Sequence, residues 1–144
     1  MPQLDFSLQL ASQATDIPDA ATFRRWVRAA LRVDTSLTIR IVDADEGQAL
    51  NAAYRGKDYA TNVLTFPLTE EPYLMGDIVI CAPVVAREAI EQGKSLLAHY
   101  AHMTVHGVLH LHGYDHEVDA QAELMEAMEI VAMQKLGFAN PYAG

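Results

Sequence analysis

The sequence predicts an α+β fold: a single domain over residues 1–144, with a four-stranded mixed sheet packed by about five helices. Two observations carry this expectation. Apolar–polar alternation with a period of two is confined to the chain before Pro83, whereas helical spacing of apolar residues takes over from there. The chain also has no internal repeat, low-complexity tract or linker, and its 144 residues match the size of one common domain.

Leu4, Phe6, Leu8 and Leu10 alternate with polar residues and predict a half-buried first strand. Asp16 and Pro18 open a helix, Asp16 as its cap and Pro18 in its first turn, and Phe23, Trp26, Val27, Ala30 and Leu31 form its buried face. Leu37 to Val42 alternates again as the second strand. A short helix from Asp45 to Tyr54 carries Leu50, Ala53 and Tyr54. Asn62 to Phe66 is a third strand stopped by Pro67, and a loop with Glu70, Glu71 and Pro72 leads through Gly76 to a fourth strand, Asp77 to Cys81. Pro83 starts a helix that runs to about Gln92 and is closed by Gly93. Ser95 caps a long helix ending near Gly113. Asp119 caps the last helix, which runs to Leu136 with Gly137 as its stop.

Hydrophobic residues make up 51% of the chain, enough for a proper core, and no apolar run approaches the ~18 residues of a membrane span. The N-terminus lacks the basic and apolar regions of a secretory signal. The single cysteine, Cys81, lies in an apolar strand and reads as a small buried hydrophobe; a reducing cytoplasm fits. Net charge is −9, which weighs against tight nucleic-acid binding by the isolated domain. The charge is uneven, since residues 1–72 carry seven of the ten basic residues. Arg24, Arg28 and Arg32, with Arg25 beside them, form a helical stripe that reads as a solvated face, as does the acidic run Glu117, Asp119, Glu123, Glu126 and Glu129 of the last helix.

The richest segment is His106-Gly-Val-Leu-His110-Leu-His-Gly-Tyr-Asp-His116. Four residues apart on a helix, His106 and His110 lie on one face, the zincin-like way a helix offers two imidazoles to one ion. Gly113 permits a left-handed turn, after which His116 can return to the same ion. Three neutral imidazoles leave a fourth position open, as in catalytic zinc sites. His102 shares the face one turn earlier, but it and His110 are roughly 12 Å apart along the axis, too far for one ion on a straight helix. It reads as a hydrogen-bonding or core residue. His112 should point away, and His99 has no assigned role.

Peptidases with such a pair carry a glutamate beside the first histidine as general base; here that position is Gly107. An uncompensated dication instead favours an anionic transition state. Asp115 is a candidate to orient a ligand or take a proton, or simply to fix the turn. A second dense segment, Tyr54 to Pro67, sets Arg55 and Lys57 just before a strand. Arginine's planar fork matches phosphate and lysine adds a mobile charge, although a basic turn by itself is commonly only solvated.

The segments RGKDYATNVLTFP, GDIVIC and HGVLHLHGYDH, in this order and spacing, closely resemble the bacterial YbeY family, zinc-dependent endoribonucleases of rRNA maturation. The similarity runs from the first strand to Gly137-Phe-Ala-Asn-Pro-Tyr142. It implies one zinc ion on His106, His110 and His116, and an Arg55 that engages RNA or its phosphate in a cleft facing the metal. It also implies 3′-end processing of 16S rRNA, 70S ribosome quality control and a cytoplasmic location. The expected partners are single-stranded rRNA and the ribosome or small-subunit proteins, with no membrane and no DNA. Thr65 departs from the family's usual serine and His112 from its usual leucine. Two other functions stay open on the residues alone: a zinc peptidase, disfavoured by Gly107, and a non-catalytic assembly factor in which zinc only pins the turn.

Overall fold

The computed structural model describes residues 2–114 and 119–143. Its elements run β1 (Leu4–Ala11), α1 (Ala20–Ala30), β2 (Thr35–Val42), α2 (Ala44–Arg55), β3 (Val63–Thr69), β4 (Leu74–Cys81), α3 (Ala82–Glu91), α4 (Leu96–Leu111) and α5 (Asp119–Lys135). The sheet order is β1-β2-β4-β3. β1 and β4 both pair parallel with β2, and β3 pairs antiparallel with β4 at the edge, so the sheet is mixed as expected.

Alternation along the strands sorts the sheet's residues between two apolar clusters. Ile39 and Ile41 of β2 and Ile78 and Ile80 of β4 join the main core with Phe23 and Trp26 of α1, Tyr100 of α4 and Met125 of α5. Phe23 anchors that core through edge-to-face contacts with Trp26 at 5.4 Å and Tyr100 at 6.1 Å. On the alternate positions Val79 and Cys81 meet Leu64, Val84 and, from α2, Leu50. Cys81 is buried, as its apolar setting suggests, and the same burial raises its thiol pKa.

α4 lies very close to β4. A Cβ on Gly107 would meet Ile78 Cδ1 at 2.9 Å, and one on Gly76 would meet Leu111 Cδ2 at 2.8 Å. These two glycines let the histidine helix approach the sheet, and that approach sets the depth of its imidazoles.

Four element expectations need correction. Asp19, not Asp16, caps α1, its carboxylate accepting from Thr22 N–H at 2.9 Å, and Pro18 stands before the helix. β3 continues through Pro67 to Thr69; on an edge strand the missing N–H costs no ladder bond, and the register shifts just after it. β4 begins at Leu74, so Gly76 lies inside the strand rather than in the loop. α2 spans Ala44–Arg55 rather than Asp45 to Tyr54; its buried positions are Gly47 and Asn51, with Leu50 half-buried and Ala53 and Tyr54 exposed. Among the described residues, no helix is long and apolar enough to cross a membrane.

Candidate active site

α2 stops at Arg55 because Gly56 takes a left-handed conformation (φ 69°) and turns its N–H back to Ala52 O at 3.1 Å. That stop holds Tyr54 and Arg55 over a cleft of about 900 Å³, whose lining also includes Thr65 and Phe66 of β3 and His106 and His110 of α4. The structure therefore brings together three of the residues singled out from the sequence, Arg55, His106 and His110. Lys57 is exposed, two residues past the helix end, and does not line the cleft. His116 and Asp115 lie outside the described residues. Thr65 keeps a hydroxyl in the lining.

His106 and His110 sit one above the other on α4, their ring centroids 6.4 Å apart. Among the described residues no group of three His, Cys, Asp or Glu side chains is gathered for an ion. The pair supplies two imidazoles, and the expected third is His116. Behind the pair stands a residue that the sequence reading assigned to a solvated face. Glu129 of α5 is 1% exposed. Its Oε1 accepts from His106 Nδ1 at 3.0 Å, and its Oε2 accepts from His102 Nε2 and from Tyr142 Oη, the latter at 2.6 Å. Burial opposes the charge of this carboxylate, but the bonds from His102, His106 and Tyr142 outweigh it and bring its pKa down to about 2. The Tyr142 hydroxyl is pushed up by burial and by the same carboxylate.

The consequence for His106 is chemical. With its proton on Nδ1, directed at Glu129, the lone pair is on Nε2, the form in which imidazole binds a metal. The donor set thus fits a divalent ion of the zinc type: two imidazoles on one helix face, one of them oriented by a buried carboxylate. His102 is the hydrogen-bonding core residue its position suggested. The signal for Glu129 was available, because Met125, Glu129, Ala132 and Met133 are the buried positions of α5 and follow helical i, i+4, i+7, i+8 spacing.

The other histidines are engaged elsewhere. His112 Nδ1 donates to Val108 O at 2.7 Å and Nε2 accepts from Arg32 N–H at 3.2 Å, so the ring points away from the pair, as expected. His99 donates to Glu88 Oε1 at 2.9 Å, and Glu88 also holds Asn62, the residue just before β3. Gly107 faces the sheet, and its approach to Ile78 leaves no room for the side chain that a peptidase would need there.

Charge in the cleft is nearly balanced. Arg40 is bound to Glu46 through two bonds of 2.7 and 3.0 Å. Among the described residues Arg55 makes no ion pair. The arginine stripe of α1 is solvated: Arg24, Arg25 and Arg28 are exposed, and Arg24 lies over the Phe6 ring at 5.9 Å.

A family model described as endoribonuclease YbeY matches residues 8–137. Endoribonuclease YbeY of Methylobacillus flagellatus is 62% identical over 143 residues, covering 99% of this chain and 96% of that protein. Those of Thiobacillus denitrificans and Stenotrophomonas maltophilia are 59% and 56% identical, covering 98% and 99% of this chain and 97% and 95% of their own lengths. A Thermotoga maritima protein solved in solution shares the fold, with a TM-score of 0.57 at 24% identity over 96% of this chain and 100% of that one.

Proposed function

The chain belongs to the endoribonuclease YbeY family, and on that footing we propose that it is a single-strand-specific, metal-dependent endoribonuclease of 16S rRNA 3′-end maturation and 70S ribosome quality control. The observation that carries this reading is one cleft lined by the histidine pair of α4 and by Arg55, an arginine that makes no ion pair among the described residues.

The cofactor of this reading is one zinc ion on His106, His110 and His116. When bound, zinc supplies positive charge against the negative charge that gathers on a phosphate under attack. The chain's own residues do the rest. Arg55 offers its guanidinium fork to the phosphate oxygens and holds the scissile group in the cleft. Glu129, itself fixed by His102 and Tyr142, keeps the His106 proton on Nδ1 and the ring in one orientation. Asp115, beside His116 in the sequence, is the carboxylate available to orient a ligand or take a proton. Lys57 adds attraction for the strand outside the lining. The work is assigned to the cytoplasm, with ribosomal small-subunit proteins presenting the RNA.

The test is cleavage of a labelled single-stranded rRNA 3′-end substrate by wild type, His110→Ala and Arg55→Glu proteins purified identically. Cutting by the wild type alone, stopped by a chelator and restored by zinc, is the expected result. Equal cutting by all three would trace the activity to a contaminant and leave the zinc-stabilised assembly factor as the function.

A further inference from the structure

We propose that Tyr54, set against Phe66, is a base-stacking subsite that receives an unpaired RNA base next to the phosphate held by Arg55; this rests on the endoribonuclease reading. Tyr54 is 68% exposed, unusual for an aromatic at the end of a helix, yet its ring is not loose. It meets the Phe66 ring edge-to-face, with centroids 4.8 Å apart and an interplanar angle of 66°. The two rings form a corner in the same cleft as Arg55, His106 and His110. Leu68, 62% exposed, lines that cleft too, and Leu50, Val63 and Val79 extend its apolar lining.

Such a lining is a poor partner for a phosphate backbone and a good one for the flat face of a base. A base in a duplex is stacked on its neighbours and cannot enter; a splayed base of a single strand can. Tyr54 directly precedes Arg55 in α2, so a nucleotide whose phosphate is on the guanidinium has its base within reach of the tyrosine ring. The Tyr54–Phe66 contact offers ring faces and edges, so the subsite requires a base, with preferences following stacking strength.

The test measures binding and cleavage of one labelled single-stranded RNA by wild type, Tyr54→Ala and Tyr54→Phe proteins, binding being read by anisotropy at low salt in chelator. Tyr54 is exposed enough that neither substitution threatens folding, and equal melting temperatures verify this. Tyr54→Ala is expected to raise Kd and KM by roughly 5- to 150-fold while Tyr54→Phe stays near wild type. Scanning an abasic position along the RNA should find one site whose loss weakens wild type binding by a similar factor and leaves Tyr54→Ala unchanged. Wild type that cuts while Tyr54→Ala binds and cuts equally well would overturn the subsite alone. Tyr54→Ala weakened without any sensitivity to abasic positions would overturn it in favour of a backbone or protein contact. Wild type that neither binds nor cuts would bring down both this inference and the endoribonuclease reading.

Discussion

Replacing Glu129 by glutamine changes almost no volume, so its effect isolates what the carboxylate's hydrogen bonds do. Two donors, His102 Nε2 and Tyr142 Oη, converge on Oε2, and one, His106 Nδ1, reaches Oε1. A glutamine has one accepting oxygen and one donating amide. Its least costly placement puts the oxygen where two donors meet and turns the amide N–H toward His106. His106 must then accept at Nδ1 and carry its proton on Nε2, the wrong tautomer for a metal ligand. Two bonds drop from charged to neutral strength, and the third is bought only with the tautomer change. With bonds to charged groups stabilising by about 1.5–3 kcal/mol and neutral ones by about 0.5–1.5, the loss is roughly 2–4 kcal/mol. At this chain length that lowers Tm by roughly 6–14 °C in the metal-free protein. Zinc affinity should fall about 10- to 100-fold, the usual cost of losing such an outer partner. Thermal unfolding in chelator, competition for zinc against a chromophoric chelator, and the ring ¹⁵N shifts of His106 read the three effects separately. Zinc affinity within about three-fold of wild type, with His106 still protonated at Nδ1, would refute the orienting role whatever happened to Tm.

Gly107→Glu, which writes the peptidase glutamate into this helix, should gain no peptidase activity. It should lower stability by about 3 kcal/mol or more, because its side chain meets Ile78 and buries an unpaired carboxylate; a folded variant with wild type Tm would contradict the close α4–β4 approach. Glu46→Gln removes the partner of Arg40 and releases that guanidinium into the cleft. Single-stranded RNA should bind more tightly, with the slope of log K against log salt steeper by about 0.7 for the one added phosphate contact. An unchanged slope would mean that Arg40 does not reach the strand.

Period-two alternation marked the first two strands, short apolar runs bounded by Pro67 and Gly76 marked the other two, and the caps and stops marked the helices around them, because those signals are local. The histidine pair was legible for the same reason: two residues on one helix have their relation set by 3.6 residues per turn. Errors arose where the outcome depends on a distant partner. Pro67 stops a strand unless that strand is an edge, and the edge position of β3 is a property of the whole sheet. Glu129 reads as solvated among its acidic neighbours, and only the arrival of His102 and His106 from α4 and of Tyr142 makes its burial tolerable. Its place on the stripe of Met125, Ala132 and Met133 was the local trace of that distant event. Tyr54 failed in the opposite direction: helical spacing marks it as apolar, and only the cleft gives an exposed ring something to do.

Electrostatics connects these residues to how such a protein chooses its RNA. Among the described residues, the formally charged side chains that line the cleft, Arg40, Glu46, Arg55 and Asp77, cancel, and they sit in a chain of net charge −9. Proteins that bind nucleic acid indiscriminately draw their affinity from many phosphate contacts and the counterions these release. Among the described residues that line the cleft, Arg55 is the arginine that makes no ion pair, so the gain from backbone contact there is small and the long-range field repels. In the proposed enzyme affinity then comes from short-range sources: the charge of an ion on the histidines, the stacking of an unpaired base on Tyr54, and a partner that raises the local concentration of the RNA end. Each of these acts only on a strand already delivered and unpaired. An acidic surface over a neutral cleft is therefore a means of sparing bulk RNA, and the selectivity of the proposed enzyme lies in presentation of the strand rather than in reading of its sequence.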